Sequence, residues 1–263
     1  MTSFFVRFHF LMCAYGINFH RLAYYLFGLP GFIIDFLKFR KHLKKSGENI
    51  VIEYMPCLYE KKKSAGSMSG HYFHQDLYIA SQVFKKDPQK HLDVGSRIDG
   101  FVAHVASFKK IEVADIRPLK ETAHNISFIQ LDLMSKLNDE YYDYCDSLSC
   151  LHAIEHFGLG RYGDEIDAHG HLKGLENLHH LLKRNGTLYI SFPIGRERIC
   201  FNGHRIFNPL KFLKDIDQIY NFLNFSLIDD CGTFYENFDL LTKSDDYFEK
   251  YEYSCGIFQL IKI

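Results

Sequence analysis

Residues 91–119 read HLDVGSRIDGFVAHVASFKKIEVADIRPL, and no other stretch constrains the fold as strongly. A short apolar run ends at Asp93, the chain turns through Gly95, Ser96 and Gly100, a helix-like pattern follows, and a second apolar run ends at Asp115. Strand, glycine turn, helix, strand and acid, in that order, describe a crossover between parallel strands, which a tight hairpin cannot join. The glycine turn lets backbone N–H groups and a helix N-terminus approach a bound molecule. Asp115, twenty residues beyond Gly95, stands where an acid at the end of a second strand accepts both hydroxyls of a ribose.

Three nucleoside-binding loops compete for this pattern. A P-loop requires Lys and then Ser or Thr after its last glycine, but Gly100 is followed by Phe101 and Val102, so nothing can reach a β/γ-phosphate or its Mg²⁺. A dinucleotide loop requires GxGxxG, whereas this one is GSRIDG, with Arg97 where the second glycine would allow close approach of a pyrophosphate. A ligand with a ribose and an amino-acid tail but no phosphate needs fewer glycines, and S-adenosyl-L-methionine fits that description.

A chain of 263 residues, 47% hydrophobic and 24% charged, can bury the core of one α/β domain and carry an accessory segment. A net charge of -1 gives no global field for nucleic acid, so no nucleic-acid partner is expected. Seven cysteines form no CxxC pair and are odd in number, which suits free thiols in a reducing cytoplasm.

Residues 1–65 form a separate aromatic and basic N-terminal extension, and 66–263 the catalytic domain. Residues 1–45 are dense in Phe, Tyr and Leu and end in LKFRKHLKK. A membrane span needs about 20 uninterrupted apolar residues. Here Arg7, His20, Arg21 and Asp35 interrupt the run, as do Gly28, Pro30 and Gly31, and each central charge costs roughly 2.5–3.5 kcal/mol. Two arrangements fit: a helical cap packed on the catalytic domain, or an interfacial helix with Lys38, Arg40, Lys41, Lys44 and Lys45 near anionic headgroups, peripheral at the inner face of a membrane. IVIEYMPCLYE then reads as an extended strand, and EKKKSAGSMSG as a flexible loop.

In GHYFHQDLYIASQVF, Leu77, Ile79, Ala80, Val83 and Phe84 suit a helix; Tyr72, Phe73, His74 and Gln75 precede it, where they either cover a ligand at the glycine turn or simply pack. After Asp115, ISFIQLDL is a third strand ending at Asp132, and Tyr144 to Ser149 a fourth. HLKGLENLHHLLKRNG is a helix with Leu172, Leu175, Leu178, Leu181 and Leu182 on one face and Asn185-Gly186 as its stop. TLYISFP is a fifth strand, LKFLKDIDQIYNFL a helix, FSLIDD a sixth strand and CGIFQLIKI the last. Seven strands with intervening helices make a doubly wound, mostly parallel sheet.

DVGSRIDG, VADIRP, QLDL, YDYCDSLSCLHAIEH and LLKRNGTLYISFP, in that order, resemble the successive motifs of class I S-adenosylmethionine-dependent methyltransferases, over roughly residues 70–263. GHYFHQDL, DVGSRIDGFVAH, HFGLGRYGDEID and GHRIFNP resemble the group called domain of unknown function 268, whose members often accompany surface-polysaccharide genes. The resemblance implies a Rossmann-like methyltransferase fold and a cofactor site drawn from Tyr72, Gln75, Asp93, Gly95, Ser96, Asp115, Ile116, Asp132, Leu133, Ser149, Leu151 and His152. Within it Gly95 and Ser96 would meet the methionine part, Asp115 the ribose, Asp132 the adenine amino group and Leu133 the ring, with Ser149 to His152 flooring the sulfonium. It also implies a methyl acceptor that is a small polar molecule, a sugar or phosphorylated intermediate of surface polysaccharide (capsule) assembly.

His152-Ala-Ile-Glu155-His156 is also an inverted zinc-protease pattern, HxxEH, which needs to lie within a helix and to find a third ligand. Following a strand in a methyltransferase-like series, it is read without a metal. His156 is the first candidate for the base that deprotonates a hydroxyl acceptor, with Glu155 as its alternative or orienting partner and His204 a further catalytic candidate; a capped and packed Glu-His pair is the other reading. In IGRERICFNGHRIFNP, Arg196, Arg198 and Arg205 suit bidentate contact with phosphate or carboxylate on the acceptor, or salt bridges to the acids of the surface. A fold kept without catalysis, as a binding or scaffold subunit, is the alternative function.

Overall fold

Along strand β5 (Leu182–Ile194), Leu188, Ile190 and Phe192 enter one hydrophobic core and Tyr189 enters another, so the strand is apolar on both sides. The same split recurs between Val113 and Ala114, and between Ile257 and Phe258. Successive side chains on a strand point to opposite faces. Near-continuous apolar strands therefore require cover on both sides, and this is the physical content of a doubly wound sheet.

The computed structural model describes residues 12, 15–16, 19–58, 60–61 and 63–263. The chain divides into two units, Met1–Ser67 and Met68–Ile263. In the first, helix α1 (Phe19–Ser46) ends in Lys44 and Lys45, where cations complement the helix dipole. Gly28, Pro30 and Gly31, which break the apolar run, lie inside this helix. Pro30 forfeits one backbone bond within a 28-residue helix, and Gly28 leaves room for Leu58, whose Cβ would lie 3.1 Å from an added methyl. Lys61 pairs with Asp35, and the rings of Phe36 and Tyr54 meet at 5.0 Å. The strand expected in IVIEYMPCLYE does not form among the described residues, since no neighbouring strand offers it a ladder. No helix among the described residues is long and apolar enough to cross a membrane. Arg7 lies outside the described residues, as do parts of the 1–45 segment.

The second unit opens with α2 (His71–Lys86), which includes Tyr72 to Gln75 in its first turn rather than ahead of it. Strands β1 (His91–Val94), β2 (Ile111–Asp115), β3 (Ile126–Gln130), β4 (Cys145–Leu151) and β5 pair in parallel. A hairpin of β6 (Arg198–Cys200) and β7 (His204–Ile206) stands apart, followed by β8 (Tyr220–Ile228), the short edge strand β9 (Phe234–Tyr235) and β10 (Ser254–Lys262). The sheet order is β3-β2-β1-β4-β5-β10-β8-β9, with β10 antiparallel to both neighbours. The seven expected strands are present, with β9 and the hairpin added.

Three expectations about helices are corrected. Beyond the glycine turn the chain makes an irregular helical turn over Ile98–Val102, broken at Gly100, and then a single turn, α3 (Ala103–Ala106). That is too short to present a dipole to a ligand. Gly100 is needed because a methyl there would sit 2.5 Å from Asp76 Oδ2 on α2. Helix α4 (Gly170–Leu181) stops before Leu182, because LKRNG forms a bulged entry to β5, where pairing with β4 jumps from Leu182 to Thr187 and Asn185 adopts φ 63°. Helix α5 (Pro209–Ile216) is capped by Asn208, which accepts from the N–H groups of Leu210 and Lys211; it ends well short of Leu223 because Tyr220 already pairs with Lys262.

Candidate active site

The carboxyl ends of the parallel strands face one cleft, the place where open α/β sheets bind ligands. Gly95 floors it with φ 73°, and a methyl at that position would lie 2.9 Å from Ala153 Cβ. Asp115, Ile116, Asp132, Leu133, His152 and His156 line the cleft with Gly95, so seven of the residues singled out from the sequence converge there. Asp115 closes β2. Its Oδ1 accepts from the Arg117 N–H at 2.8 Å and from Arg117 Nε at 2.9 Å, and its Oδ2 accepts from Nη2 at 2.6 Å. Asp132 lies two residues past β3, in a turn whose Met134 N–H and Ser135 hydroxyl it accepts. Leu131, Leu133 and Met134 give this end of the cleft an apolar wall.

Asp93, Ser96 and Ser149 do not line the cleft; they bond to one another beneath it. Asp93 is fully buried, its Oδ1 accepting from Ser96 Oγ at 2.7 Å and Ser149 Oγ at 2.5 Å, and its Oδ2 from the Ser96 N–H. Burial pushes its carboxyl up to about 7 against the pull of those hydrogen bonds. Leu151 is core. Gln75 is also internal, its Nε2 donating to Asp76 and its Oε1 accepting from Ser191 at 2.5 Å, which ties α2 to β5. Tyr72 is half exposed, with its ring 5.1 Å from that of His152.

His152 follows β4 with φ 52°, a left-handed conformation that costs a side chain about 1–3 kcal/mol. Its N–H is held by Ser191, and its Nδ1 lies 2.8 Å from Glu155 Oε1 with both side chains buried. Burial opposes charge on this imidazole, but Cys255 and Glu155 outweigh it and raise its pKa well above the ordinary value. Residues Ile154–His156 form a short 3-10 turn, not the helix a zinc-protease HxxEH pair needs. His156 Nδ1 donates to the Gly203 carbonyl at 2.6 Å, which leaves Nε2 as its basic nitrogen, and burial lowers its pKa.

The three arginines divide. Arg205 is buried and does not present itself to a ligand: its guanidinium donates to the carbonyls of Glu155, Phe157, Asp167 and Ala168, pinning the loop after β4 to β7. Arg198 donates to the Arg196 and Glu252 carbonyls and pairs with Glu252 at 3.3 Å. Arg196 is exposed. His204 lies on β7, edge-on to Tyr253 at 4.9 Å.

Arg117, Tyr162 and Asp164 also line the cleft and were not singled out. Tyr162 lies 4.4 Å beneath the Arg117 guanidinium, and Asp164 accepts from the N–H groups of Gly158, Gly160 and Tyr162. Their signal was present in VADIRP and in HFGLGRYGDEID, where a polar residue follows each turn.

Solved structures with this sheet include the N-methyltransferase NodS from Bradyrhizobium japonicum in complex with S-adenosyl-L-homocysteine, 13% identical with a TM-score of 0.48 over 73% of this chain and 87% of that one. The cyclase SpnF is 13% identical with a TM-score of 0.50 over 73% and 84%. A 1,6-didemethyltoxoflavin-N1-methyltransferase from Burkholderia thailandensis is 12% identical with a TM-score of 0.47 over 71% and 78%. These likenesses are of fold: the chain has a Rossmann-like, doubly wound sheet. No curated protein matches the sequence. Residues 100–251, more than half of the chain, match the family described as Caenorhabditis protein of unknown function, DUF268, and the chain belongs to that family.

Proposed function

We propose that the chain is an S-adenosylmethionine-dependent O-methyltransferase acting on a small polar acceptor, a sugar or phosphorylated intermediate of surface polysaccharide assembly. The observation that carries this reading is the convergence of Asp115 and Asp132, one from the end of each of two neighbouring strands, on the cleft floored by Gly95. Their spacing suits a ribose and an adenine edge on one ligand, and the apolar wall of Leu131, Leu133 and Met134 suits the ring between them. Bound there, the cofactor supplies a methyl group on a sulfonium. The protein's own residues then orient the acceptor for an in-line attack and remove its proton. His156 Nε2, on a ring held by Gly203 and kept uncharged by burial, is suited to take that proton, a role worth roughly 10²–10⁴ in rate. The exposed Arg196, in the segment after β5, suits a phosphate on the acceptor.

One observation favours a second reading, a binding or scaffold subunit without catalysis: the Asp115 carboxyl is already engaged by Arg117 through three hydrogen bonds. Calorimetry with S-adenosylmethionine and S-adenosylhomocysteine separates the two. Binding of both, lost in Asp115→Ala, with homocysteine-nucleoside release that falls at least a hundredfold in His156→Gln, supports the enzyme; binding of neither supports the scaffold.

A further inference from the structure

His71, His152 and Cys255 come from three separate elements: the first residue of α2, the residue after β4, and the second residue of β10. Each offers one ligand atom, and these atoms all lie within 4.8 Å of one another, the single such group of His, Cys, Asp and Glu side chains among the described residues. Cys255 is fully buried; its Sγ makes long contacts, 3.8 Å to Gln75 Oε1 and 3.9 Å to the Gly256 carbonyl, and interacts with the His152 imidazole. His152 is 6% exposed; with Nδ1 on Glu155, its Nε2 is the nitrogen left to face the group, and it has no hydrogen-bond partner among the described residues. The buried nitrogen and the buried sulfur face each other, and the Cys255 thiol is one of the groups that raise the His152 pKa; a cation shared between them would satisfy both.

The surroundings complete a pattern. A carboxyl on the far nitrogen of a histidine fixes its tautomer and turns the other nitrogen into a donor, the arrangement that holds metal-ligating imidazoles. Glu155 does this for His152, and His71 hydrogen-bonds to the backbone of Tyr253. One side of the group is open to a cleft lined by Gly70, Tyr72, Asp230, Glu252 and Tyr253.

We propose that His71, His152 and Cys255 bind a zinc-class divalent cation through two nitrogens and one sulfur, with the fourth position open to that cleft. Two imidazoles and a thiolate suit a borderline-soft ion, and three protein ligands with an open position are the arrangement of catalytic rather than structural zinc. Metal bonds of about 2.0–2.3 Å converging tetrahedrally need ligand atoms roughly 3.3–3.6 Å apart. His71, half-buried at the start of its helix and stacked at 5.2 Å on the rings of both His152 and Tyr253, is the ligand that would turn to close that distance. Water or an oxygen of a bound molecule would complete the coordination. The site is separate from the HxxEH pattern in the sequence and shares only His152 with it.

Cobalt(II) titrated into the chelator-treated full chain tests this without cofactor or acceptor, so the outcome is independent of the methyl-transfer reading. One equivalent should bind, with a near-ultraviolet thiolate-to-cobalt charge-transfer band and strong tetrahedral visible bands. The charge-transfer band should vanish in Cys255→Ser. Cobalt affinity should fall at least tenfold in His71→Ala, whose melting profile in the absence of metal should match the parent. Absence of the band in the parent overturns the proposal, as does a band that survives Cys255→Ser, which would assign the metal to another cysteine. Should Cys255→Ser fail to fold, an unchanged affinity in His71→Ala overturns it equally.

Discussion

Arg117 grips Asp115 like a fork, with Nε and Nη2 each on one carboxyl oxygen at 2.9 and 2.6 Å, and lays its other side against the ring of Tyr162. The pair stands at the mouth of the cleft, where a ribose diol would have to share or displace the guanidinium. An exposed ion pair contributes about 0–1 kcal/mol. Removing Arg117 should therefore change cofactor affinity by at most about fivefold, whereas Asp115→Ala removes two charge-assisted hydrogen bonds of roughly 1.5 kcal/mol each, about a hundredfold. Calorimetric affinities of the two variants measure the difference. Equal losses would mean that Arg117, not Asp115, holds the ligand.

Asp93 should give the protein a pH-dependent stability. Its carboxyl is raised to about 7 by burial, and the charge of Asp76 on α2 adds to the shift; His91, on the same strand, is held neutral with a value of about 3. A group raised on folding contributes stability that is fully present below its unfolded value of about 3.9 and is lost as pH rises through 7. Melting temperature should fall between pH 5 and pH 8 by an amount equivalent to a few kcal/mol, and Asp93→Asn should flatten that slope. A variant with the parent's slope would place the titration elsewhere.

Gly95→Ala should cost about 1–3 kcal/mol of stability, because a non-glycine residue would have to hold φ 73° and its methyl would press on Ala153 at 2.9 Å. The same methyl projects into the floor of the cleft, so cofactor affinity should fall together with stability. Urea denaturation and calorimetry on one variant read both.

Arg205 and Arg196 should separate cleanly. Arg205→Ala leaves the buried Glu155 carbonyl and the part-buried Phe157 and Ala168 carbonyls without a donor and should lower stability by roughly 1–3 kcal/mol. Arg196→Ala, at an exposed position, should change stability by less than about 0.5 kcal/mol and weaken only the acceptor. Denaturation midpoints decide the first; steady-state kinetics with a phosphorylated acceptor decide the second.

These contrasts show what the sequence made legible. Strand periodicity and turn residues set out seven strands in order, because the central strands bury both faces and write that into local apolar runs. The limits of elements were harder. Leu182 continues the helical pattern of α4 yet pairs with Cys145 of β4, and Tyr220 continues α5 yet pairs with β10, because the decisive partners are remote in sequence. The cleft was legible where a residue closes a strand, as at Asp115, or floors a turn, as at Gly95. It was not legible at Asp93, Gln75 or Arg205, polar residues that look available in the sequence and prove to be internal struts. Nor could spacing bring His71, His152 and Cys255 together, since only the sheet order places β10 beside β5.

The position of β10 also sets a schedule for synthesis. Residues 254–262 insert between β5 and β8, contributing Ile257 to one core and Phe258 to the other. A ribosome that has released β5 and β8 but not β10 leaves two bare strand edges facing each other across an empty lane, each open to pairing with a foreign chain. Until that lane is filled the nascent protein has five contiguous strands, a detached β8–β9 pair, and no Cys255 beside His152.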